Sequence, residues 1–371
     1  MDHLTNIFLV IVVGVYSFVR GKAIKASLNP KKIIIVQNAK LGDMVCSTPV
    51  FRAIKKHIPN AYVVVMGDKI NKEVLRGNSD VDEYIVFEKK FFKLLKMIRS
   101  FGFDFGCVLT PDSYSFALLF LGGVKAITLP EIKNGFSPWE TRTYKIMRRN
   151  GILTPHFMGS YAPREYLRLL EPIGIFTDDT KKYLAFSDEA DKKTTVFLKK
   201  EGISSESDFV VGISPSAGNK IKKWSEENFA KVADYLYKKY QAQIIIIGGP
   251  NDKEEAERMI SFLNEKTQFI NTSGIFNIDE LKALISKISL FISVDTGPIY
   301  IAEAFGVPSI DIIGPVDESE QPPVGTKHKI VYLRNRKEAA IHILNARMYD
   351  YAEAKRQIDG ITTDMVFKEI D

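Results

Sequence analysis

Short β-branched apolar runs alternate along this chain with longer stretches whose apolar positions recur at helical spacing. The sharpest instance is residues 289–315, SLFISVDTGPIYIAEAFGVPSIDIIGP. Leu290 to Val294 predicts a buried strand, Asp295-Thr296-Gly297-Pro298 a turn, Ile299 to Phe305 a helix and Ser309 to Ile313 a second strand. Pro298 suits the first helical position, where its missing N–H costs nothing, and Gly297 lets the chain turn tightly before it. The N–H groups of Ile299, Tyr300 and Ile301 are then expected to point out of the carboxyl end of a sheet. With Asp295 and Thr296 beside them they make either a candidate anion site or an ordinary strand-to-helix turn.

In the first half, strands are predicted at Lys32 to Gln37, Ala61 to Met66, Glu83 to Phe87 and Phe105 to Leu109. Helices are predicted at Met44 to His57, Lys69 to Arg76, Phe91 to Arg99 and Pro163 to Leu170. Asp43 therefore opens a helix at the carboxyl end of a buried strand, as an N-cap or as a catalytic group facing a cleft. Between Lys125 and Gly174 the chain turns basic and aromatic, with Trp139, Arg142, Tyr144, Arg148, Arg149, His156, Tyr161 and Arg164, and its pattern does not place the strands. This cluster is read as a wall for an anionic acceptor, against the alternative of a solvated face. Thr177 to Lys193 is polar and reads as inter-domain surface.

The second half begins again with strands at Phe209 to Ile213, Gln243 to Ile247 and Phe269 to Asn271, and helices at Glu226 to Tyr240 and Ile278 to Ser286. A small-residue loop, Ser214 to Trp224, carries Lys220, Lys222 and Lys223. Ile341, Leu344, Met348 and Tyr351 predict a helix over Lys337 to Ile358 that crosses back to the first domain. Repeated β-α-β units argue an α/β fold with mainly parallel, doubly wound sheets.

Ile7 to Val19 is a 13-residue apolar run followed by Arg20, Lys22 and Lys25. The run is short for a bilayer span and lacks the flanks of a signal peptide. A membrane-associating helix with its basic residues on the cytoplasmic side is favoured over a helix packed on the protein body. The net charge of +6 favours an anionic partner, be it nucleic acid, phosphorylated substrate or membrane. Two cysteines, Cys46 and Cys107, form no disulfide framework in 371 residues, which points to a reducing cytoplasm. Cys46 reads as a packing residue.

Several signatures fall away. Neither a P-loop nor a G-x-G-x-x-G opening a helix is present. Gly212-Ile213-Ser214-Pro215-Ser216 departs from a nucleophile elbow, and Asp80-Val81-Asp82 enters a strand as a turn does. What remains is an ordered set: Gly42-Asp43 with Ser47-Thr48-Pro49, Pro215-Ser216-Ala217 with Lys222-Lys223-Trp224, Gly248-Gly249-Pro250-Asn251-Asp252, Asp295-Thr296-Gly297-Pro298 and Gly314-Pro315. This set resembles glycosyltransferase family 9, the ADP-heptose:lipopolysaccharide heptosyltransferases, from about Lys31 to the helix start at Ile361-Thr362-Thr363.

The resemblance implies a GT-B fold of two Rossmann-like domains facing across a cleft, and metal-free inversion at the sugar carbon. Residues 1–30 would be the membrane-associating segment and linker, 31–180 the acceptor domain, 181–207 a linker, 208–335 the nucleotide-sugar domain and 336–371 the returning helices. It makes Asp43 the candidate base and Lys222 the candidate phosphate cation, with Lys220 and Lys223 as substitutes. Donor contacts would come from Ser216, Lys223, Gly249, Asp252, Glu254, Asp295, Thr296, Gly297 and Gly314: Asp295 for sugar hydroxyls, Asp252 or Glu254 for the ribose. Acceptor contacts would come from Lys40, Gly42 and Arg142. The nucleotide sugar is then a substrate, with no cofactor, no metal and no nucleic acid expected. An anionic glycolipid acceptor and the cytoplasmic membrane surface would be the partners. A different nucleotide sugar, or a non-catalytic membrane-attached binding protein of the same fold, are the alternatives. Two departures bear on specificity: Tyr300 stands where the family usually has His, and Gln37, Asn38 and Lys40 stand where an Arg is common.

Overall fold

The computed structural model describes residues 3–88, 90–203 and 208–371, and the side chains from residue 7 onward. The chain divides between Lys182 and Tyr183 into two units, each built on a six-stranded sheet.

The first unit runs α1 (His3–Arg20), β1 (Lys32–Gln37), α2 (Leu41–His57), β2 (Tyr62–Gly67), α3 (Lys69–Val74), β3 (Glu83–Val86), α4 (Phe91–Phe101), β4 (Phe105–Val108), α5 (Ser113–Leu121), β5 (Ala126–Ile132), α6 (Arg142–Met147), β6 (Ile152–His156) and α7 (Ala162–Arg168). Its strands lie in the order β3-β2-β1-β4-β5-β6, all parallel. β1 holds the middle: Ile33 pairs with Val63 of β2 on one side and Phe105 of β4 on the other. Both faces of such a sheet need cover, and the near-continuous burial of KIIIVQ and YVVVMG is the result.

The second unit runs α8 (Asp188–Lys200), β7 (Val210–Ser214), α9 (Glu226–Tyr240), β8 (Gln243–Ile246), α10 (Lys253–Ser261), β9 (Phe269–Asn271), α11 (Ile278–Ile285), β10 (Leu290–Val294), α12 (Gly297–Ala304), β11 (Ser309–Ile312), β12 (His328–Val331), α13 (Tyr351–Asp359) and α14 (Thr363–Ile370). Its order is β12-β11-β10-β7-β8-β9, again all parallel. Both units therefore reverse strand order between their first and fourth strands, the signature of a doubly wound fold.

Several expectations change. α5 was not marked by periodicity because SYSFALLFL is apolar on nearly all sides and almost wholly buried. β5 and β6 are the strands of the basic, aromatic stretch whose pattern does not place them. The polar run expected as inter-domain surface contains the start of α8, which packs on α11 within the second unit; of the expected 181–207 linker, 204–207 lie outside the described residues.

The helix expected over 337–358 begins only at Tyr351, capped by Asp350. Before it, Ile341 reaches its burial through a bridge to Val316, and His342 pairs with Asn345 in a turn. Apolar spacing alone did not separate that arrangement from a helix. Ile358, Ile361 and Val366, at and beyond the end of α13, lie in the core of the second unit.

α1 packs on the first unit, with Leu9 and Val13 in its core and Tyr16 edge-on to Phe120 at 5.7 Å. Among the described residues no helix is long and apolar enough to cross a membrane.

Candidate active site

In doubly wound sheets ligands bind outside the carboxyl ends of the strands where the order reverses. In the second unit that point lies between β7 and β10. The loop after β7 carries Ser216 and the lysines, and β10 runs directly into Asp295. The β7 loop folds into a 3-10 turn at Lys220–Lys222, pinned by Ile221 in a small apolar cluster and by the Trp224 indole N–H donating to the Ile361 carbonyl at 2.9 Å. That pinning delivers the Lys222 ammonium 2.5 Å from Asp295 Oδ2. Tyr300, buried one turn into α12, donates its hydroxyl to Asp295 Oδ1. Thus Asp295, expected to await a sugar, is held by a cation on one oxygen and a phenol on the other.

α12 begins at Gly297 with Thr296 as its N-cap, two residues before the predicted start. Ile299 donates to the Thr296 carbonyl at 3.1 Å, so Ile299, Tyr300 and Ile301 are already inside the helix and are not its outward donors. Helix geometry assigns that role to the N–H groups of Thr296 and Gly297, which no preceding helical carbonyl reaches. Thr296, Gly297 and Pro298 are half-buried, at the mouth of the turn. Behind it lies a group that pattern reading missed. Asp311 on β11 sits opposite Ser293, is fully buried, and neither carboxyl oxygen has a hydrogen-bond partner among the described residues. Burial, with the charge of Asp295 added, pushes its carboxyl well above the usual range.

The other expected donor contacts divide. Ser216 is buried two residues beyond β7. Lys223 turns to an ion pair with Glu255 of α10, which holds that carboxyl below its usual value. Asp252 accepts the Gly249 N–H at 2.7 Å and so shapes the turn after β8. Glu254 is largely exposed and pairs with Arg258 at 2.5 Å. Gly314 has a φ of +60°, and a Cβ there would meet Ile358 Cδ1 at 2.6 Å, so glycine is required by the fold. Its carbonyl accepts from the buried Arg336 guanidinium at 2.7 Å, which also donates to the Val316 carbonyl at 2.9 Å.

In the first unit the reversal lies between β1 and β4. Asp43 stands in the first turn of α2 and accepts the Lys40 backbone N–H through Oδ2 at 3.2 Å; Lys40 is exposed, and Gly42 and Asp43 are half-buried. The Ser47-Thr48-Pro49 motif has a local cause. Pro49 has no N–H for the Val45 carbonyl, and the Thr48 hydroxyl donates to that carbonyl at 2.8 Å instead. Gln37 is buried and ties to the Ser47 hydroxyl at 3.0 Å. Asn38 donates to Ser115 at 2.9 Å, and Asp112 caps α5 through Tyr114 and Ser115 N–H. This Asn38–Ser115–Asp112 set faces the same strand ends as Asp43 and carried no motif in the sequence.

The basic wall is smaller than expected. Tyr144 is buried with its hydroxyl on the Pro130 carbonyl, Arg148 is paired with Glu131 and Glu140, and His156 is buried 3.8 Å from Glu165. Tyr144 and Arg148 thereby tie the end of α6 to β5, and His156 is part of the buried side of β6. Arg142, Arg149 and Trp139 remain exposed, and Arg164 pairs with Asp178. Cys46 and Cys107 are buried and are not joined in a disulfide, and Asp82 binds Lys55 and the Val63 N–H as a turn residue.

Residues 91–347 match glycosyltransferase family 9 (heptosyltransferase). The chain belongs to this family. It is a glycosyltransferase of the heptosyltransferase type, with the two Rossmann-like units of the GT-B class. The matched residues include Lys222, Asp295 and α12, while Asp43 lies outside them. The chain is similar to lipopolysaccharide heptosyltransferase 3 of Escherichia coli (strain K12), 26% identical over 286 residues that cover 74% of this chain and 80% of that protein. Its fold is similar to a family 9 glycosyl transferase from Veillonella parvula, with a TM-score of 0.75 at 21% identity over 93% of this chain and 97% of that one. It is likewise similar to E. coli ADP-heptose lps heptosyltransferase II, with a TM-score of 0.72 at 19% identity over 91% and 97%.

Proposed function

We propose that this protein moves a heptose from ADP-heptose to a saccharide of the lipopolysaccharide-core type, with inversion at the anomeric carbon and without a metal ion. The acceptor is lipid-linked and the reaction runs in the cytoplasm, at the inner face of the membrane. The observation that carries this reading is the Lys222–Asp295–Tyr300 cluster at the first turn of α12, at a strand-order reversal in a chain of a heptosyltransferase family. The E. coli relative named for ADP-heptose supports the choice of donor.

In this reading the acceptor hydroxyl attacks the anomeric carbon as Asp43 takes its proton, and the bond from that carbon to the diphosphate oxygen breaks. Negative charge collects on the departing ADP. Lys222 and the N–H groups of Thr296 and Gly297 meet it with one full charge and the positive end of a helix, supplying the stabilisation a divalent cation provides elsewhere. Asp295 holds Lys222 until the diphosphate arrives and then binds sugar hydroxyls. Ser216, Gly249 and Asp252 line the nucleotide, and Gly314 keeps the turn after β11 clear. Lys223 and Glu254 act through Glu255 and Arg258. Lys40, Gly42 and Arg142 meet the acceptor.

The test is thermal unfolding with ADP-sugars in excess EDTA. ADP-heptose at about a hundred times its dissociation constant stabilises the chain by about 2.7 kcal/mol. Absence of protection by every ADP-sugar, with protection by a UDP- or GDP-sugar, would replace the donor, an outcome that Tyr300 in the family's His position makes worth measuring.

A further inference from the structure

The most exposed apolar surface of the first unit belongs to α1. Ile7, Phe8, Ile11, Val15, Phe18 and Val19 all face solvent, Phe18 at 94% and Val19 at 80% of full exposure. At about 100° per residue these positions fall within roughly a third of the helix circumference, opposite Leu9 and Val13 in the core. α1 is therefore apolar on both sides. An ordinary surface helix has a polar outer face, and one that is apolar all round is normally covered.

The charge flanking this face is mainly basic. No Asp or Glu occurs between His3 and Gly42, whereas Lys22 and Lys25 follow the helix and are exposed. The elements packed against α1 are α5 and α6. α5 carries no charged residue, and α6 presents exposed Arg142 and Lys145 beside a half-exposed Ile146. Lys145 has Glu140 at 3.7 Å. Arg20 is spent internally: its guanidinium donates to the Phe120 carbonyl at 2.6 Å, near the C-terminal end of α5, and also to the Val124 carbonyl. This clamp fixes α1 on the body and leaves its apolar stripe turned outward.

We propose that α1 lies flat on an anionic lipid surface, its Ile11–Val15–Phe18 stripe sunk to the boundary between headgroups and acyl chains, with Lys22, Lys25 and the exposed end of α6 at the phosphate level. An apolar stripe rimmed by lysines is the form of an in-plane membrane helix, and lysine stems reach from apolar depth to the headgroups. The inference deepens the membrane-face reading above by naming the element and the lipid chemistry, and it stands apart from the choice of sugar.

The experiment is co-sedimentation of the full chain with vesicles of phosphatidylcholine alone or with about one-third phosphatidylglycerol, with neither donor nor acceptor present. The chain binds the anionic vesicles at least about tenfold more strongly than the neutral ones. The triple variant Ile11→Ser, Val15→Ser, Phe18→Ser lowers that binding by about a hundredfold while its unfolding temperature stays within about two degrees, because the changed side chains are exposed. Lys22→Glu with Lys25→Glu lowers binding to the anionic vesicles alone. No binding, or binding that the triple variant retains, overturns the proposal. So does a self-associated species in light scattering that the triple variant abolishes without vesicles, which would make a second copy the cover. Since ADP-heptose protection is read separately, a failure here leaves the transfer reading standing, and the reverse holds too.

Discussion

The Lys222 ammonium lies 2.5 Å from Asp295 Oδ2, with Lys222 one-fifth exposed and Asp295 nearly buried. The cation assigned to the diphosphate is thus already neutralised by a carboxylate of the same site. In the proposed reaction an arriving diphosphate competes with Asp295 for it, and the gain on binding is the difference between two ion pairs. Keeping the ammonium in place beforehand avoids the cost of ordering a long side chain during the reaction.

Lys222→Gln is expected to lower kcat/KM by about 10²–10³, as loss of one preorganised charge donor does. It also costs stability, because the nearly buried Asp295 loses its counter-ion. Adding Asp295→Asn restores the melting temperature toward the parent and leaves transfer impaired. Melting curves and initial rates on the single and double variants check this; a double variant that regains activity would place the charge requirement elsewhere.

Tyr300 occupies the first turn of α12 and holds the other oxygen of Asp295. Tyr300→Phe removes that donor from a buried site and is expected to cost about 1–2 kcal/mol of stability, with a drop in kcat/KM of about tenfold. Tyr300→His puts back a ring N–H and is expected to retain more activity than the Phe variant. Equal activity of the two would mean that the hydroxyl contributes packing alone.

Asp43→Asn keeps the cap on the Lys40 N–H, because the amide oxygen still accepts, and removes only the basicity. Turnover is expected to fall by about 10²–10⁴ while thermal protection by ADP-heptose persists. Loss of both together would show that Asp43 acts on the fold of the first unit and not on the proton.

The strands of the two sheets were legible where burial on both faces forces β-branched runs: Lys32–Gln37 and Leu290–Val294 stand at their expected bounds. The turn after β10 was legible too: Asp295 to Gly297 stand at the strand-to-helix junction where the pattern places them. The site was not legible where the information lies in contacts distant along the chain. Tyr144 and Arg148 carry the composition of a basic wall, and only the neighbouring carbonyl and carboxylates reveal that they are structural. Asp311 within SIDI and Asn38 beside Ser115 carry no spacing signal at all; parallel register and packing across seventy-odd residues bring the second pair together.

Asp311 yields a pH prediction whose sign follows from its surroundings. It faces Asp295, Glu303 and Lys222 from buried β11, and desolvation raises its carboxyl well above the unfolded value of about 3.9. As pH climbs past that value the unfolded chain releases a proton that the folded chain keeps, so this residue lowers stability progressively until its own folded pKa is reached. Asp311→Val, a volume the parallel strand accepts, removes that slope together with the orphaned polar group. The variant is expected to be more stable than the parent by about 1–3 kcal/mol near neutral pH and to lose most of that advantage near the unfolded carboxyl pKa. Urea midpoints at the two pH values decide it: a Val variant that is weaker by the same amount at both would mean that Asp311 has a charged role in the folded unit, with Lys222 shared between two carboxylates.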